Sequence, residues 1–438
     1  MSTLELSQQS KSVSCLFNKI SWRLLPFLLT CYTLAYLDRI NIGFAKLQMQ
    51  GQLGMTDAAY GLAAGIFFLG YVLFEVPSNL LLPKVGARRT ISRIMVLWGL
   101  TSAATLFVRN ETQFYVIRFL LGVFEAGFTP AMFFYLTYWY NAKRMASVVA
   151  VVTLAGPIGG AMGGPLSTWI MTALSGIYGL SGWQWMFLLE GLPCIALGFT
   201  VRHFLVNRPS EAIWLTEDEK HLLAEELGTP TIKYHSFSHV LKDPKVYLMA
   251  LAYFCLMGSM YVVSFWLPTI LKEQGLKDPM EIGMYSSIPY IVAAIAMFIG
   301  CRSSDLRRER RWHCTVTAAI GALAIAASAM STGNLTASLA FITLANAMMY
   351  ITYAVFWATP SEYLKGDSAA GGIALINSIG LCGAFLSPTL IGWIKSTTGS
   401  TKFGLLAMSG LLLIGAFVFM KNRLHRDDAS TKSHTDAR

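Results

Sequence analysis

Apolar runs of about twenty residues recur along the whole chain, which is the length that a helix needs to cross a bilayer. Short polar segments separate these runs. The pattern predicts twelve spans, which we number span 1 to span 12, at residues 22–45, 58–82, 90–108, 113–140, 145–172, 184–206, 246–271, 282–301, 312–331, 335–358, 368–394 and 403–421. We therefore predict an all-α integral membrane protein with twelve transmembrane helices.

Composition agrees with this prediction. Hydrophobic residues make up 54% of the 438 residues and charged residues only 13%, with a mean hydropathy of +0.51. A soluble protein carries about 25% charged residues, so the sequence excludes one large soluble core. The polar start and the length of the first apolar run favour a retained span 1 over a cleaved signal peptide.

One long polar stretch, residues 207–245, divides the chain between span 6 and span 7. In it, Thr216 and Glu219 have the spacing of a capping box, and Gly228 provides a helix stop. We predict a cytoplasmic N-terminal tail, a six-helix bundle, a cytoplasmic linker with a short helix, a second six-helix bundle and a cytoplasmic C-terminal tail, at residues 1–21, 22–206, 207–245, 246–421 and 422–438.

The two predicted bundles share short motifs at corresponding positions. Span 5 and span 11 each contain G-A-x-x-x-P, at residues 160–165 and 383–388, and Thr129-Pro130 in span 4 corresponds to Thr359-Pro360 in span 10. These matches favour a parallel repeat and two pseudo-symmetric halves. Transporters built from such repeats bind substrate at the repeat interface, near the middle of the membrane.

The distribution of basic residues predicts the orientation. The chain has a net charge of +10 and 34 Lys and Arg residues. With both termini in the cytoplasm, 26 of these lie on the cytoplasmic side and 6 on the opposite side. This asymmetry follows the positive-inside rule, so the positive charge reflects topology. The basic residues form no face with stacking aromatic residues beside it, so we expect no nucleic-acid partner.

Cysteine and histidine positions exclude several kinds of site. The seven cysteines are scattered without a C-x-x-C pair, so we predict no disulfide framework, no metal site and no cofactor. All seven histidines lie in loops, tails or span ends. An intramembrane protease needs Ser and His within spans, so we do not predict an enzyme. A sensor on a transporter fold would carry an added soluble domain, and the tails here are short.

Four charged residues lie inside predicted spans: Asp38, Arg39, Arg118 and Glu125. Charges in the membrane are costly, and a buried ion pair is a poor stabiliser. Their presence therefore indicates a group that is bound or carried. Arg118 and Glu125 lie two turns apart on one helix face. We predict that an anion displaces Glu125 from Arg118, after which Glu125 takes a proton, and that Asp38 and Arg39 neutralise each other.

Two further acids, Glu75 and Glu190, stand near span ends beside Pro77 and Pro193, with no base nearby in the sequence. We interpret both as static packing groups that hold helices together. The amides Asn41 and Asn377 are the clear amide side chains among candidate lining residues. Aromatic candidates are more numerous, namely Tyr36, Phe67, Tyr71, Phe128, Tyr261, Phe265, Trp266, Tyr353, Phe356 and Trp357. This balance favours an aromatic acid over a polyhydroxylated one.

The motifs "YLDRINIGFAKLQM", "GIFFLGYVLFEVPSNLLL", "RFLLGVFEAGFTPAMFFYLTYWY" and "WQWMFLLEGLP" resemble the anion:cation symporter family of the major facilitator superfamily. The resemblance covers about residues 20–425 and implies the major facilitator fold. It implies proton coupling at Asp38 and Glu125, and substrate binding at Arg39, Arg118, Tyr36, Tyr71, Trp357 and Asn377. Pro83 replaces the acid usual in the loop after span 2, and the equivalent acid occurs in the second half as Asp305.

Together these observations predict proton-coupled uptake of a small organic anion across the inner membrane by a monomer. The expected substrate is an aromatic carboxylate of the benzoate, hydroxyphenylacetate, phthalate or nicotinate kind. Tartrate or a sugar acid is the alternative substrate class. Anion exchange and sodium coupling remain alternatives to proton symport.

Overall fold

The computed structural model describes residues 3–227, 241–364 and 368–421, and these ranges contain helices and no strand. The α-helices are Thr3–Leu53, Asp57–Val85, Ala87–Ala104, Glu111–Glu125, Phe128–Thr137, Ala142–Thr153, Ala155–Ala173, Gly182–Phe204, Glu217–Leu227, Pro244–Glu273, Pro279–Arg307, Arg311–Met330, Leu335–Phe356, Ala358–Tyr363, Ser368–Thr398 and Lys402–Lys421. Three short 3-10 segments occur at Thr105–Phe107, Ile177–Gly179 and Pro209–Glu211.

Among the described residues, twelve segments are long and apolar enough to cross a membrane, and each overlaps one predicted span. The prediction of an all-α membrane protein with twelve spans is therefore confirmed. Span 1 is longer than predicted, because its helix runs from Thr3 to Leu53 and includes polar residues on both sides of the apolar run. Hydropathy locates the part of a helix that lies in lipid and leaves its polar ends unassigned.

Span 4 is interrupted directly after Glu125. Its first helix ends there, and the second begins at Phe128. Gly127 lies between them with φ of 87°, a left-handed conformation that favours glycine. Pro130 then lies in the first turn of the second helix, where it needs no amide partner. The break places the Glu125 carboxylate at the end of a helix in the middle of span 4.

The first half, spans 1–6, meets the second half, spans 7–12, along two closely packed helix pairs. Span 2 runs beside span 11, where a Cβ at Gly61 would lie 2.3 Å from the carbonyl oxygen of Pro388. Span 5 runs beside span 8, where a Cβ at Gly164 would lie 2.4 Å from the carbonyl oxygen of Gly283. Small residues let helix backbones approach each other closely. In lipid, helix association depends on this van der Waals packing rather than on the hydrophobic effect.

The linker is described in part. Thr216 and Glu219 exchange hydrogen bonds of 2.9 and 3.2 Å at the start of the helix Glu217–Leu227. Lys19 of span 1 forms a 2.7 Å ion pair with Glu219, and this contact keeps the pKa of Glu219 below its usual value. The proposed helix stop at Gly228 lies outside the described residues.

Candidate functional site

The four charged residues predicted inside spans are all buried in the structure. Asp38, Arg118 and Glu125 are each 1% exposed, and Arg39 is 7% exposed. Asp38 and Arg39 lie on span 1, and Arg118 and Glu125 lie on span 4. Each of these charged groups loses its hydration on burial and needs a partner inside the protein. A group that has partners can be structural, whereas a group without them is a candidate for ligand binding.

Arg39 is the centre of this cluster. Its guanidinium forms an ion pair with Glu125 and donates a 2.9 Å hydrogen bond to the hydroxyl of Tyr261 in span 7. The guanidinium carbon lies 5.5 Å from the ring centre of Tyr36, and 5.7 Å from that of Tyr71. These are cation–π distances. Arg39 therefore joins both halves of the protein at one point.

Asp38 points away from Arg39, because successive side chains on a helix diverge by about 100°. Its carboxylate accepts hydrogen bonds from the indole Nε1 of Trp98 at 2.6 Å, from Ser102, and from the amide of Asn41 at 3.3 Å. The prediction that Asp38 and Arg39 neutralise each other is wrong. Asp38 is instead held by three neutral donors, two of them on span 3.

Arg118 has no hydrogen-bond partner on any of its three guanidinium nitrogens among the described residues. The prediction that Glu125 pairs with Arg118 is wrong, because Arg39 takes that carboxylate. The guanidinium carbon of Arg118 lies 5.0 Å from the ring centre of Phe67. A buried guanidinium keeps its charge and presents a planar fork to carboxylates. Arg118 is therefore the group in this cluster best prepared to receive an anion.

Phe67 stands between the two arginines. Its ring centre is 5.4 Å from the guanidinium carbon of Arg39 and 5.0 Å from that of Arg118. Span 4 approaches span 2 closely here, since a Cβ at Gly122 would lie 1.9 Å from the carbonyl oxygen of Phe67. The glycine thus fixes the position of the ring that separates the two charges.

The remaining predicted site residues divide into two groups. Tyr36 and Tyr71 lie against Arg39, so the structure brings them into the cluster. Trp357 packs against Tyr253 with ring centres 5.0 Å apart, within the second half. Asn377 donates a 2.7 Å hydrogen bond to Glu75 across the two halves. Trp266 is another candidate lining residue. Its ring centre lies 3.9 Å from the ammonium of Lys46, and it is not a contact of the four buried charges.

Sequence reasoning missed two direct partners of Asp38, the donors Trp98 and Ser102. Both are uncharged residues of span 3, and only their contact with Asp38 identifies them. Glu190 accepts hydrogen bonds from Asn41 at 2.9 Å and from Ser167 at 2.7 Å. These contacts join spans 1, 5 and 6 and are those expected of a packing group.

Comparisons with known proteins show the family to which this chain belongs. The Major Facilitator Superfamily matches over residues 28–388. The chain is 42% identical over 407 residues to a Pseudomonas putida protein named "Putative metabolite transport protein NicT", covering 92% of this chain and 93% of that protein. It is 44% identical over 405 residues to an Agrobacterium vitis protein named "Putative tartrate transporter", covering 91% and 89% of the two chains.

A solved structure shows the same fold. A bacterial homologue of the human lysosomal transporter Spinster, in an inward-facing and occupied conformation, aligns with a TM-score of 0.76. The alignment covers 92% of this chain and 98% of that chain at 17% identity. The resemblance seen in the sequence motifs is therefore confirmed: the chain belongs to the Major Facilitator Superfamily and is a multi-pass membrane transporter rather than an enzyme.

Proposed function

We propose that this transporter takes up a small organic anion together with a proton, and that Arg118 receives the carboxylate of the substrate. The observation that carries the proposal is the buried guanidinium of Arg118, 1% exposed and without a hydrogen-bond partner among the described residues. An incoming carboxylate supplies two acceptor oxygens in the geometry that a guanidinium fork matches. Names of relatives that mention tartrate also support an organic anion.

Coupling follows from the ion pair between Arg39 and Glu125. A proton on Glu125 removes the negative charge that holds Arg39, and this arginine can then contribute to anion binding. The proton thus favours the anion, and by linkage the anion favours the proton by the same factor. Asp38, whose carboxylate accepts from three neutral donors and forms no ion pair among the described residues, is the second proposed proton carrier.

The surroundings of the arginines support an aromatic carboxylate. The rings of Tyr36, Phe67 and Tyr71 lie within 5.7 Å of the Arg39 guanidinium carbon. Both candidate amides already donate to carboxylates, Asn41 to Asp38 and Glu190, and Asn377 to Glu75. A polyhydroxylated acid would leave several hydroxyls unpaired there, and each unpaired buried group is costly. Tartrate remains the alternative substrate class.

The proposed setting is the inner membrane, with a monomer whose two termini lie in the cytoplasm. Basic residues support this orientation, since 26 of 34 lie in the tails and loops on the side of the termini. A carrier of this orientation receives the anion at the end opposite the termini and releases it near them.

Uptake into proteoliposomes tests the proposal. Labelled benzoate and labelled tartrate are offered with and without an inward pH gradient, and we expect faster benzoate uptake with the gradient. Arg118→Ala should abolish uptake and binding, while Arg109→Ala, outside the buried cluster, serves as the matched control. Equal uptake with and without the gradient would exclude proton symport. If tartrate competes at lower concentration than any aromatic acid, the aromatic class is wrong.

A further inference from the structure

Glu75 on span 2 is a buried carboxylate that the proposed transport cycle has not yet used. Its side chain belongs to a residue that is 1% exposed. One carboxylate oxygen accepts a 2.7 Å hydrogen bond from the amide of Asn377, and the other accepts a 3.3 Å hydrogen bond from the hydroxyl of Ser378. Both donors belong to span 11, so Glu75 joins the two halves of the protein.

Position along span 2 places this contact between the central cluster and the end that carries the termini. Span 2 begins at Asp57, at the end opposite the termini, and Glu75 lies about 27 Å further along at 1.5 Å per residue. Tyr71, whose ring faces Arg39, is one helical turn before Glu75. Glu75 is therefore one turn closer to the termini than the ring that touches the central ion pair.

Simple packing does not require a carboxylate at this position. Burying a carboxylate costs more free energy than burying a neutral amide of the same size. Both oxygens of Glu75 act as acceptors, which is the pattern that an ionised carboxylate satisfies. A proton on the oxygen that faces Asn377 would place two donors opposite each other, and a proton on the oxygen that faces Ser378 would replace charge-assisted hydrogen bonds by weaker neutral ones. The protonation state of Glu75 therefore sets the strength of this contact between span 2 and span 11.

No base neutralises Glu75, which forms no ion pair within the described ranges. Among the charged groups on span 2 and on the elements packed against it, Asp38, Arg39, Glu125, Asp57 and Lys395 have other partners, and Arg118 lies against Phe67. The described structure contains no ion pair between Glu75 and any of Lys84, Arg88, Arg89 and Arg93, and Glu111 is a further acid at the start of span 4. Tyr71 is a neutral titratable group on span 2 itself, one turn from Glu75. Of the two proposed proton carriers, Glu125 contacts Arg39 beside Tyr71, one turn from Glu75, whereas Asp38 is held by donors of span 3. A proton leaving Glu125 toward the termini would meet Glu75 as the next carboxylate.

We propose that Glu75 is the proton-release group of the transport cycle and the contact that holds the central site closed toward the termini. The proton passes from the Glu125 carboxyl to the Glu75 carboxylate, and Glu125 then pairs with Arg39 again and weakens anion binding. Protonated Glu75 loosens its hold on Asn377 and Ser378, so the halves part on that side. Release of the proton to water restores the charge-assisted strength of both hydrogen bonds. This inference rests on the proposed proton symport.

Two transport modes separate this role from a structural one. Net uptake of labelled benzoate driven by a pH gradient requires proton release in every cycle. Equilibrium exchange of labelled for unlabelled benzoate, with no gradient, does not. Glu75→Gln preserves the volume of the side chain and removes its titration. We expect net uptake to fall by at least about tenfold, while exchange stays within about twofold of wild type.

The control and a second variant complete the test. Glu281→Gln, at the exposed start of span 8, should leave both modes unchanged. Glu75→Asp retains a carboxylate, so it should keep net uptake and shift its pH profile. Wild-type net uptake in Glu75→Gln, or an equal loss of net uptake and exchange in both Glu75 variants, would overturn the inference. Absence of gradient-driven uptake in the wild type would instead refute the proton symport on which it rests.

Discussion

Lys46 of span 1 forms a 2.6 Å ion pair with Asp57 of span 2, although the lysine is only 2% exposed. Its ammonium also lies 3.9 Å from the ring centre of Trp266 and 3.2 Å from the hydroxyl of Thr269, both on span 7. A desolvated ammonium between a carboxylate and an aromatic face is held firmly. Lys46 therefore ties the first half to the second at the end opposite the termini.

Other charges extend the same connection. Lys395 of span 11 lies 3.8 Å from Asp57 and forms an ion pair with Glu273 of span 7. Glu273 also accepts a 2.6 Å hydrogen bond from the hydroxyl of Thr401. Lys46, Glu273 and Lys395 line an adjoining cavity of about 590 Å³. Alternating access requires the two halves to part at this end. The contacts of Lys46 with Trp266 and Thr269, and of Lys395 with Asp57, must therefore break in every cycle.

We expect Asp57→Asn to lower the stability of this closed end, because it leaves buried Lys46 without its carboxylate. Breaking one partner of a buried ion pair costs about 3–5 kcal/mol. The measurement is the labelling rate of a cysteine introduced at Gln50 with a membrane-impermeant maleimide, in a background free of other cysteines. The rate should rise in Asp57→Asn and return toward wild type in the double variant with Lys46→Met.

The double variant decides the origin of any effect. If Lys46→Met does not restore a low labelling rate, the loss of the Lys46–Asp57 pair is not the cause. Lys277→Gln serves as the matched control, since Lys277 is an exposed lysine in the loop at the same end. It should label at the wild-type rate.

The central ion pair leads to a separate expectation for binding and coupling. Glu125→Gln mimics the protonated carboxyl and frees Arg39, so benzoate binding should persist or strengthen while gradient-driven uptake is lost. Asp38→Asn should likewise lose gradient-driven uptake. Scintillation proximity binding and proteoliposome uptake measure the two properties separately. Gradient-driven uptake at the wild-type rate in Glu125→Gln would contradict the coupling mechanism.

Topology is testable without any substrate. Reporter fusions after Arg109 and after Lys277 should report the side opposite the termini, because basic residues are concentrated on the side of the termini. A phosphatase reporter is active only on the periplasmic side, and a fluorescent protein folds only on the cytoplasmic side. Cytoplasmic fluorescence at either fusion point would contradict the orientation.

Packing between span 2 and span 4 should be intolerant of added volume. A Cβ at Gly122 would lie 1.9 Å from the carbonyl oxygen of Phe67, so Gly122→Ala must displace the backbone that positions this ring. We expect a loss of about 1–3 kcal/mol of stability and a lower rate of uptake. Gly410→Ala on span 12 is the control, because nothing lies within 4 Å of its added Cβ. Thermal unfolding in detergent compares the two variants, and equal melting temperatures would contradict this packing.

The sequence by itself determined the number of spans and the identity of the buried charges. Apolar runs of bilayer length are a local property, and each run forms its own backbone hydrogen bonds as a helix in lipid. The buried charges were identified for the same reason, because a charged residue within an apolar run can be recognised without knowing what packs against it. These residues are Asp38, Arg39, Arg118 and Glu125. Tyr36 and Tyr71 were predicted to bind substrate from motif resemblance; the structure places both beside Arg39, and their role in binding stays a prediction.

Only the tertiary structure decided which charges meet. Glu125 lies two turns from Arg118 on its own helix, yet it pairs with Arg39 of span 1, because the packing of spans 1 and 4 brings that guanidinium to the helix end at Glu125. Asn377 and Glu75 are 302 residues apart and meet because spans 2 and 11 pack side by side. Ion pairs and hydrogen bonds depend on distances of a few ångströms. Helix periodicity fixes such distances within a span, whereas between spans they are set by how closely the small residues let the helices approach.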